Sequence, residues 1–154
     1  SIFNILGDSV HGARVLDLYA GTGAMGIEAL SRGAESVLFA DDHKAALTAL
    51  EKNIKACSLE NRTNTIKCNI FNNLNIIRSY RSAFNLVFLD PPYNKNMIQS
   101  TLLNLDMSRC LENGSRLALE HSLLEPIPKK LPGFEISDQR RYGKTLVSFL
   151  IYMV

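Results

Sequence analysis

A glycine-rich segment near the start of the chain has the spacing of a nucleotide-binding loop. Its glycines fall at Gly21-x-Gly23-x-x-Gly26, just after an apolar run that reaches Leu18. Glycines permit a tight turn and a close approach of a ligand to the backbone, and the helix that follows offers free N–H groups. Asp41 closes the next apolar run, where an acid could accept both hydroxyls of a ribose. The pattern predicts a site for a nucleotide-containing cofactor.

Such a loop could hold either NAD or S-adenosylmethionine, and the charge of a nearby side chain distinguishes between these two cofactors. Asp17 lies in the apolar run before the loop. A carboxylate there would repel a pyrophosphate, but it would attract the ammonium or sulfonium group of a methionine moiety. The charge favours S-adenosylmethionine, and an NAD-dependent oxidoreductase stays open as an alternative.

A second motif whose residues could take part in catalysis, Asp90-Pro91-Pro92-Tyr93, follows the apolar run 84–89. The exocyclic amino group of a nucleobase is a poor nucleophile because its lone pair is delocalised into the ring. The Asp90 carboxylate and the Pro91 carbonyl could accept both of its N–H groups, and prolines stiffen the loop because they fix φ. Tyr93 could stack on the base, a contact worth about 1–3 kcal/mol. We interpret the tetrapeptide as the catalytic site of a methyl transfer to a base.

Cysteine and histidine do not indicate a metal centre. Cys57, Cys68 and Cys110 form no CxxC pair, and no histidine lies near them in the pattern of a zinc site. We expect three free thiols in a reducing cytoplasm. The three histidines are isolated in sequence, and we interpret them as surface or internally bonded side chains.

The elements that must position these motifs can be inferred from the hydrophobic pattern. Strand-like runs alternate with helical patterns, and the hydrophobicity of the runs is mostly continuous, as in strands buried on both faces of a parallel sheet. This alternation predicts an α/β, Rossmann-like fold with helices on both faces of the sheet. The runs are residues 15–19, 36–40, 63–68, 84–89 and 116–120.

Helical spacing and the two ends of the chain complete the layout. Residues Leu47, Leu50, Ile54 and Cys57 recur at helical spacing, as do residues 98, 102 and 105, and both stripes are predicted to face the core. Residues 1–12 are interpreted as the end of a helix followed by a loop. The runs 134–141 and 145–154 flank a Tyr-Gly-Lys turn and predict an antiparallel hairpin.

The motifs meet at one edge of this predicted sheet. Ligands of open α/β sheets bind outside the carboxyl ends of the strands. Asp41 and Asp90 both follow strand-like runs, and the glycine loop follows a third. We therefore expect all three to share one cleft.

The composition fits a single domain covering residues 1–154. The chain has 154 residues, is 46% hydrophobic, and carries 17 Lys and Arg against 15 Asp and Glu, a formal net charge of +2. This balance excludes an acidic solvating chain and a strongly basic nucleic-acid tail. Neither a secretory signal nor an apolar run of about 18 residues is visible. We expect a cytoplasmic monomer without a membrane partner.

These residues resemble a known family. Segment 17–33, with its glycine loop, and the motif Asp90-Pro-Pro-Tyr93 are similar to the class I S-adenosylmethionine-dependent amino-methyltransferases. More narrowly, they resemble the RsmD-type 16S ribosomal RNA guanine-N2 methyltransferases. Phe3-Asn4, the Glu-Ala-Leu-Ser-Arg-Gly stretch 28–33 and the Arg-Tyr-Gly-Lys-Thr turn 141–145 match that family's pattern as well.

The resemblance implies a seven-stranded, mostly parallel sheet, with S-adenosylmethionine as methyl donor and S-adenosylhomocysteine as product. It implies that Asp17 lies near the methionine amino group, Asp41 on the ribose hydroxyls, and Asp90 to Tyr93 around the target base. Where the family carries an acid that binds the adenine amino group, this chain has Cys68-Asn69, and the Asn69 carbonyl can accept without charge. The implied cofactor-binding set is Asp17, Tyr19, Ala20, Gly21, Gly23, Asp41, Asp42 and Asn69.

The substrate implied is a guanine of 16S ribosomal RNA or of the small ribosomal subunit. The target base must be splayed out of its stack to reach the cleft. Adenine N6 of DNA or RNA is the alternative within the enzyme class, because Asp-Pro-Pro-Tyr fits that amino group equally well. An RNA-binding module with a vestigial pocket is the alternative outside it.

RNA contacts are predicted at local basic groups, because lysine and arginine pair with phosphate. Family members begin with a further basic segment, so we expect this chain to lack a short N-terminal extension, to hold the cofactor well and to hold RNA poorly. The predicted phosphate contacts within the chain are Lys95, Lys129, Lys130, Arg140, Arg141 and Lys144.

Overall fold

The computed structural model describes residues 1–93 and 95–154, and its strands form one seven-stranded sheet. The strands are β1 Arg14–Leu18, β2 Ser36–Asp41, β3 Thr63–Lys67, β4 Phe84–Leu89, β5 Leu111–Ser122, β6 Phe134–Tyr142 and β7 Thr145–Tyr152. Their order in the sheet is β3-β2-β1-β4-β5-β7-β6. Strands β1 to β5 pair in parallel, and β7 lies antiparallel between β5 and β6. This confirms the predicted sheet with its antiparallel hairpin.

Helices cover both faces of the sheet, as predicted. Successive side chains of a strand point to opposite faces, so Val15 and Leu16 of β1 belong to two separate hydrophobic cores. The first three helices pack on the Val15 face, and the fourth packs on the Leu16 face. The α-helices in the described residues are α1 Ile2–Leu6, α2 Ala24–Ser31, α3 Lys44–Ala56 and α4 Ile98–Ser108.

The connection between β3 and β4 contains a 3-10 helix, Asn75–Tyr80, rather than an α-helix along its described residues. Asparagine side chains accept hydrogen bonds from backbone N–H groups of this connection. Asn69 Oδ1 accepts from the Asn72 N–H at 3.3 Å, and Asn73 Oδ1 accepts from the Asn75 N–H at 3.1 Å. Such local bonds offer the backbone an alternative to the helical ladder. Ile77 still reaches the core and is fully buried.

The predicted core stripe of α3 is wrong at its last position. Leu50 and Ile54 are buried, but Cys57 is exposed. The helix ends at Ala56, and Ser58 takes a left-handed φ of 57°. The chain thereby turns back so that the Leu59 N–H donates to the Ile54 carbonyl at 3.0 Å, and Leu59 packs against the core in place of Cys57.

Strand β5 begins earlier than the predicted run 116–120. Leu111 already pairs with Phe84, and the register between β4 and β5 then shifts before Arg116 pairs with Leu86. Gly114 has a φ of 85° in this stretch, and the Ser115 hydroxyl donates to the Phe84 carbonyl at 2.8 Å. An irregularity of this kind continues a strand through polar residues, which the hydrophobic pattern could not show.

The cysteines and histidines occupy the environments that the sequence predicts. All three cysteines are free, as predicted. His11 and His43 are exposed. His121 is buried, and its ring nitrogens lie 2.7 Å from the Glu125 carbonyl and 2.7 Å from Ser148 Oγ. Among the described residues, no helix combines the length and the hydropathy that crossing a membrane requires.

Candidate active site

A cleft opens at the carboxyl edge of the sheet, between β1 and β4. The chain leaves β1 toward β2 on one side, while β4 pairs on the other, so this is the point where the strand order reverses and where α/β folds bind ligands. The cavity has a volume of about 230 Å³. From the predicted set it brings together Asp17, Tyr19, Ala20, Gly21 and Asp90.

The glycine loop has the conformation that its sequence predicts. Gly21 has a φ of 57° and Gly23 a φ of 83°, in the left-handed region where glycine carries no steric cost. A Cβ on Gly23 would also overlap Leu50 Cδ1, and one on Gly26 would overlap the Phe39 ring. The loop therefore lies directly against β2 and α3. Nothing lies within 4 Å of the Cβ position of Gly21, so the loop is open there.

Asp17 is the buried carboxyl group of the cleft, with 3% of its surface exposed. Its Oδ2 accepts a hydrogen bond from the Gly26 N–H at 3.1 Å. Burial raises the pKa of Asp17 to about 8, against the opposing effect of the Gly26 bond and with small additions from Asp90 and Asp41. No ion pair among the described residues includes this carboxyl. It is protonated at neutral pH unless a cation is bound beside it.

Asp41 joins the glycine loop to the end of β2. Its Oδ2 accepts from the Gly21 N–H at 2.9 Å, and its Oδ1 accepts from the His43 N–H at 2.9 Å. Each carboxylate oxygen can accept more than one bond, so both keep acceptor capacity for a ligand. Asp42 follows and is exposed.

Asn69 lies farther along the same edge, after β3. The Cys68 N–H donates to the Asp41 carbonyl at 2.9 Å, which places the ends of β2 and β3 side by side. Asn69 is exposed, and its Oδ1 bonds to the Asn72 N–H at 3.3 Å. Asp41, Asp42 and Asn69 do not line the cavity itself. Drug-sized ligands occupy pockets of about 300–1,000 Å³, so a whole cofactor would extend from the cavity over these residues.

Tyr19 has an unusual backbone for a tyrosine at the end of a strand. Its φ is 57°, and β1 ends one residue earlier than predicted because of this turn. The hydroxyl lies 2.7 Å from Thr101 Oγ1 in α4. A left-handed non-glycine residue costs of order 1–3 kcal/mol and is found where the surroundings hold it, often at functional sites. Here the turn separates Asp17, inside the sheet, from the open loop.

The Asp90 motif follows β4 at the other side of the cleft. Desolvation in the cleft, followed by the charge of Glu120, raises the pKa of Asp90 to about 6. Pro91 is buried and Pro92 is exposed. Tyr93 is 41% exposed, and its hydroxyl lies 3.1 Å from Thr145 Oγ1. The ring therefore stands at the opening, where a base could stack on it.

The sequence prediction missed two notable groups of the cleft. Glu120 lines the cavity as the last residue of the predicted strand 116–120, and an acid at the carboxyl end of a strand is close to the signal that identified Asp41 and Asp90. Ile2 of α1 also lines the cavity. No local signal reveals Ile2, because it reaches the cleft through the packing of Phe3 on Phe88, whose ring centroids are 5.7 Å apart.

The residues of the cleft fit S-adenosylmethionine better than NAD. A pyrophosphate needs free N–H groups at the glycine loop. Here the N–H groups of Gly21 and Gly26 already donate to Asp41 and Asp17. The Asp41 carboxylate would repel a pyrophosphate and can accept from ribose hydroxyls. Asp17 suits a cationic methionine moiety, because a cation beside it favours its ionised form. The described residues contain no group of three or more His, Cys, Asp or Glu side chains arranged to hold a metal ion.

The predicted phosphate contacts are all exposed, but two of them have partners within the chain. Arg140 pairs with Asp138 at 3.1 Å, and Arg141 Nε donates to the Gly143 carbonyl at 2.9 Å. Lys95 stands near Tyr93 in the segment after the Asp90 motif. The assignment of these groups to RNA stays a prediction.

Comparison with known proteins gives consistent matches. Residues 1–151 match the family described as Conserved hypothetical protein 95. The chain is 32% identical over 148 residues to the Bacillus subtilis (strain 168) protein named "Putative rRNA methyltransferase YlbH", covering 96% of this chain and 80% of that protein. It is 28% identical over 131 residues to the Ribosomal RNA small subunit methyltransferase D of Buchnera aphidicola subsp. Acyrthosiphon pisum (strain APS), covering 82% of this chain and 65% of that protein.

A solved structure shows the same architecture. A conserved hypothetical protein of Streptococcus pyogenes superposes with a TM-score of 0.84 at 31% identity, covering 98% of this chain and 92% of that chain. The sheet order with its terminal hairpin is that of class I methyltransferases, and solved structures of this fold bear methyltransferase names.

Proposed function

The chain belongs to the family described as Conserved hypothetical protein 95, the RsmD-type methyltransferases, and from this premise we propose that it methylates the exocyclic N2 amino group of a guanine in 16S ribosomal RNA. The observation that carries the proposal is the position of Asp90 and Tyr93 beside a cleft that also contains Asp17 and the glycine loop. The substrate is RNA, and the protein acts in the cytoplasm, where ribosomal subunits are assembled.

The cofactor side of the cleft binds and orients the methyl donor. S-adenosylmethionine supplies an electrophilic methyl group on a sulfonium. Asp17 would face the cationic methionine end, Asp41 would accept from the ribose, and Asp42 and Asn69 would flank the adenine. Gly21 allows the donor to lie against the backbone, because no atom lies within 4 Å of its Cβ position.

The residues of the Asp90 motif bind and orient the target nitrogen. The Asp90 carboxylate and the Pro91 carbonyl accept the two N–H groups of the amino group, which favours a pyramidal nitrogen with an available lone pair. A bound S-adenosylmethionine would supply the methyl group to this lone pair, with S-adenosylhomocysteine as the leaving product. The surplus proton on nitrogen passes to Asp90, whose pKa of about 6 keeps it ionised and able to accept at neutral pH.

Positioning supplies much of the rate in such a reaction. Two reactants held in one cleft react as a nearly unimolecular pair, a gain worth up to about 7–11 kcal/mol when they are well aligned. Tyr93 contributes by stacking on the splayed base, and Tyr19 contributes by holding the turn between Asp17 and the loop. We propose that the chain acts as a monomer, since the residues needed all come from one copy.

The test is methyl transfer to two forms of the substrate. Small ribosomal subunits from cells that lack this enzyme, and unmodified 16S RNA, are incubated with the protein and methyl-labelled S-adenosylmethionine. The digested RNA is then analysed by mass. N2-methylguanosine is the expected product. N6-methyladenosine would instead support the adenine alternative, and absence of label with RNA bound would support a non-catalytic module.

A thermal-shift measurement tests the cofactor separately. A ligand that binds only the folded state raises the melting temperature. S-adenosylmethionine and S-adenosylhomocysteine are expected to raise it, and NAD at the same concentration is expected to leave it unchanged. A shift with NAD alone would contradict the assignment of the cofactor.

A further inference from the structure

Glu120 and Asp90 occupy neighbouring positions at the carboxyl edge of the sheet. β4 and β5 run parallel with Leu89 opposite Leu119, so the residues that follow, Asp90 and Glu120, stand side by side. Adjacent strands are about 4.8 Å apart. Both residues line the cavity together with Ala118. Side chains two positions apart on a strand share a face, so Glu120 and Ala118 point the same way, into the cleft.

This pair of carboxyl groups has no structural explanation in the packing. Like charges directly opposite on neighbouring strands destabilise a sheet, and Glu120 contributes to the raised pKa of Asp90. None of the ion pairs among the described residues includes either side chain. Within the described residues, the Glu120 side chain takes part in one hydrogen bond, a long one of 3.4 Å from Tyr93 Oη to Glu120 Oε1.

The two acceptors match the edge of one base in particular. Guanine carries two neighbouring donors, the N1–H and the N2 amino group, on its Watson–Crick edge. Adenine carries an amino group beside N1, which is an unprotonated acceptor. A second carboxylate placed beside the one that holds the amino group would therefore accept from guanine, but it would face a lone pair in adenine.

We propose that Glu120 determines the base specificity of the site by accepting the N1–H of the target guanine while Asp90 holds its N2 amino group. The inference rests on the proposed function and names the residue that selects the base. The Tyr93 hydroxyl lies between Glu120 Oε1 and Thr145 Oγ1. A base stacked on Tyr93 would therefore lie within reach of the Glu120 carboxylate. Glu120 acts on recognition and takes no proton from the reacting nitrogen.

Replacement of the guanine by 2-aminopurine gives the sharpest test. This base keeps the exocyclic amino group at C2, but its N1 is an acceptor without a proton. Small subunits are reconstituted with 16S RNA that carries either base at the position methylated by the wild type. The wild type is expected to prefer guanine by roughly tenfold to a hundredfold in kcat/KM, the range of one good base contact.

The variant Glu120→Gln is expected to change that preference. Its carbonyl can still accept from the Tyr93 hydroxyl, and its amide N–H can donate to N1 of 2-aminopurine. We expect kcat/KM on guanine to fall by about tenfold or more, and the guanine to 2-aminopurine ratio to shrink toward one or below. Affinity for S-adenosylmethionine is expected to stay within about twofold, because the change concerns the base.

Glu135→Gln is the matched control, since Glu135 is exposed on β6 away from the cleft, and it is expected to behave as the wild type. An unchanged base ratio in Glu120→Gln would overturn the inference and leave the proposed function standing. A loss confined to cofactor affinity would also overturn it, because Glu120 would then be a cofactor contact. Methylation of adenine by the wild type would overturn the proposed function and this inference together.

Discussion

The carboxyl groups on the two sides of the cleft are held in different ways. On the cofactor side, Asp17 and Asp41 are buried and accept backbone N–H groups of the glycine loop at 3.1 and 2.9 Å. On the base side, Asp90 and Glu120 stand beside each other at the opening, and the Tyr93 hydroxyl reaches Glu120 at 3.4 Å. The cofactor side is thus organised by the fold itself, whereas the base side keeps its acceptors for the substrate.

Because of this difference, substitutions on one side of the cleft should mainly affect stability, and substitutions on the other side should mainly affect activity. Changes on the cofactor side should disturb the fold, because its polar groups are part of the packing. Changes on the base side should disturb catalysis and leave the fold intact, because Asp90 is exposed, Glu120 is only half-buried, and the two acids repel one another. Residues from the two sides provide direct tests of this contrast.

The largest effect on stability is expected from Gly23→Ala. The residue has a φ of 83°, and a Cβ would overlap Leu50 Cδ1, so strain and overpacking together should cost roughly 2–5 kcal/mol. Urea unfolding measures the loss. Gly143→Ala is the matched control, since its φ is 61° with no atom within 4 Å of the Cβ position, and it should cost about 1–2 kcal/mol. Equal losses in both variants would contradict the tight packing of the loop.

On the base side, Asp90→Ala should reduce methyl transfer by at least about a hundredfold, which corresponds to about 2.7 kcal/mol. The free energy of unfolding and the affinity for S-adenosylmethionine should stay near the wild-type values. Single-turnover methylation, urea unfolding and calorimetry measure the three quantities. Because the pKa of Asp90 is about 6, the wild-type rate should also fall by up to about tenfold for each pH unit below that value. Normal turnover by the variant would refute the catalytic assignment.

The buried acid on the cofactor side should make stability depend on pH. The folded pKa of Asp17, about 8, lies above its ordinary value of 3.8, so the folded state binds a proton that the unfolded state has lost between these values. The contribution of Asp17 to the free energy of unfolding is fully present below about pH 4. It is lost as the pH rises toward 8, at up to about 1.4 kcal/mol per pH unit. Asp17→Asn should flatten the slope in urea unfolding from pH 5 to 8.5. An unchanged slope would show that Asp17 is ionised in the fold.

The smallest effect is expected from Tyr93→Phe. The ring and its stacking surface remain, and an exposed hydrogen bond contributes about 1 kcal/mol or less, so kcat/KM on the small subunit should stay within about threefold of the wild type. Tyr93→Ala removes the ring and should raise the KM for the subunit by about tenfold. If the two variants were equally impaired, stacking on Tyr93 would be excluded as its role.

The fold was largely predictable because short stretches of sequence identify most of its strands and turns. Continuous apolar runs identified β1, β2 and β4, and their burial on both faces explains the pattern, since Val15, Leu16 and Leu18 are all fully buried. The expectation of burial on both faces is wrong for β3, which lies at the edge of the sheet and has no buried residue. The Tyr-Gly-Lys turn identified the hairpin of β6 and β7. The start of β5 could not be read in this way, because Leu111 joins the sheet through pairing with the distant Phe84.

The site was predictable in its motifs but not in its long-range contacts. Asp17, Gly21 and Asp90 meet in the cavity as their positions after strands suggested. Ile2 enters the cleft only through the packing of α1 on β4, which no sequence spacing specifies. The hydrogen bond from Gly21 to Asp41 likewise depends on the pairing of β1 with β2. Together with the bond from Gly26 to Asp17, it supplies the strongest physical argument against a pyrophosphate.

The position of β7 has a consequence for the order in which the protein matures during synthesis. The chain emerges from its N-terminus first, so β1 to β5 can associate before β7 exists. β6 lies at the edge of the sheet and pairs with β7, so both strands join β5 only after β7 has been made, and β7 brings Thr145, a partner of the Tyr93 hydroxyl. A nascent chain can therefore assemble its cofactor side early, while the base side is completed only when β7 has been inserted.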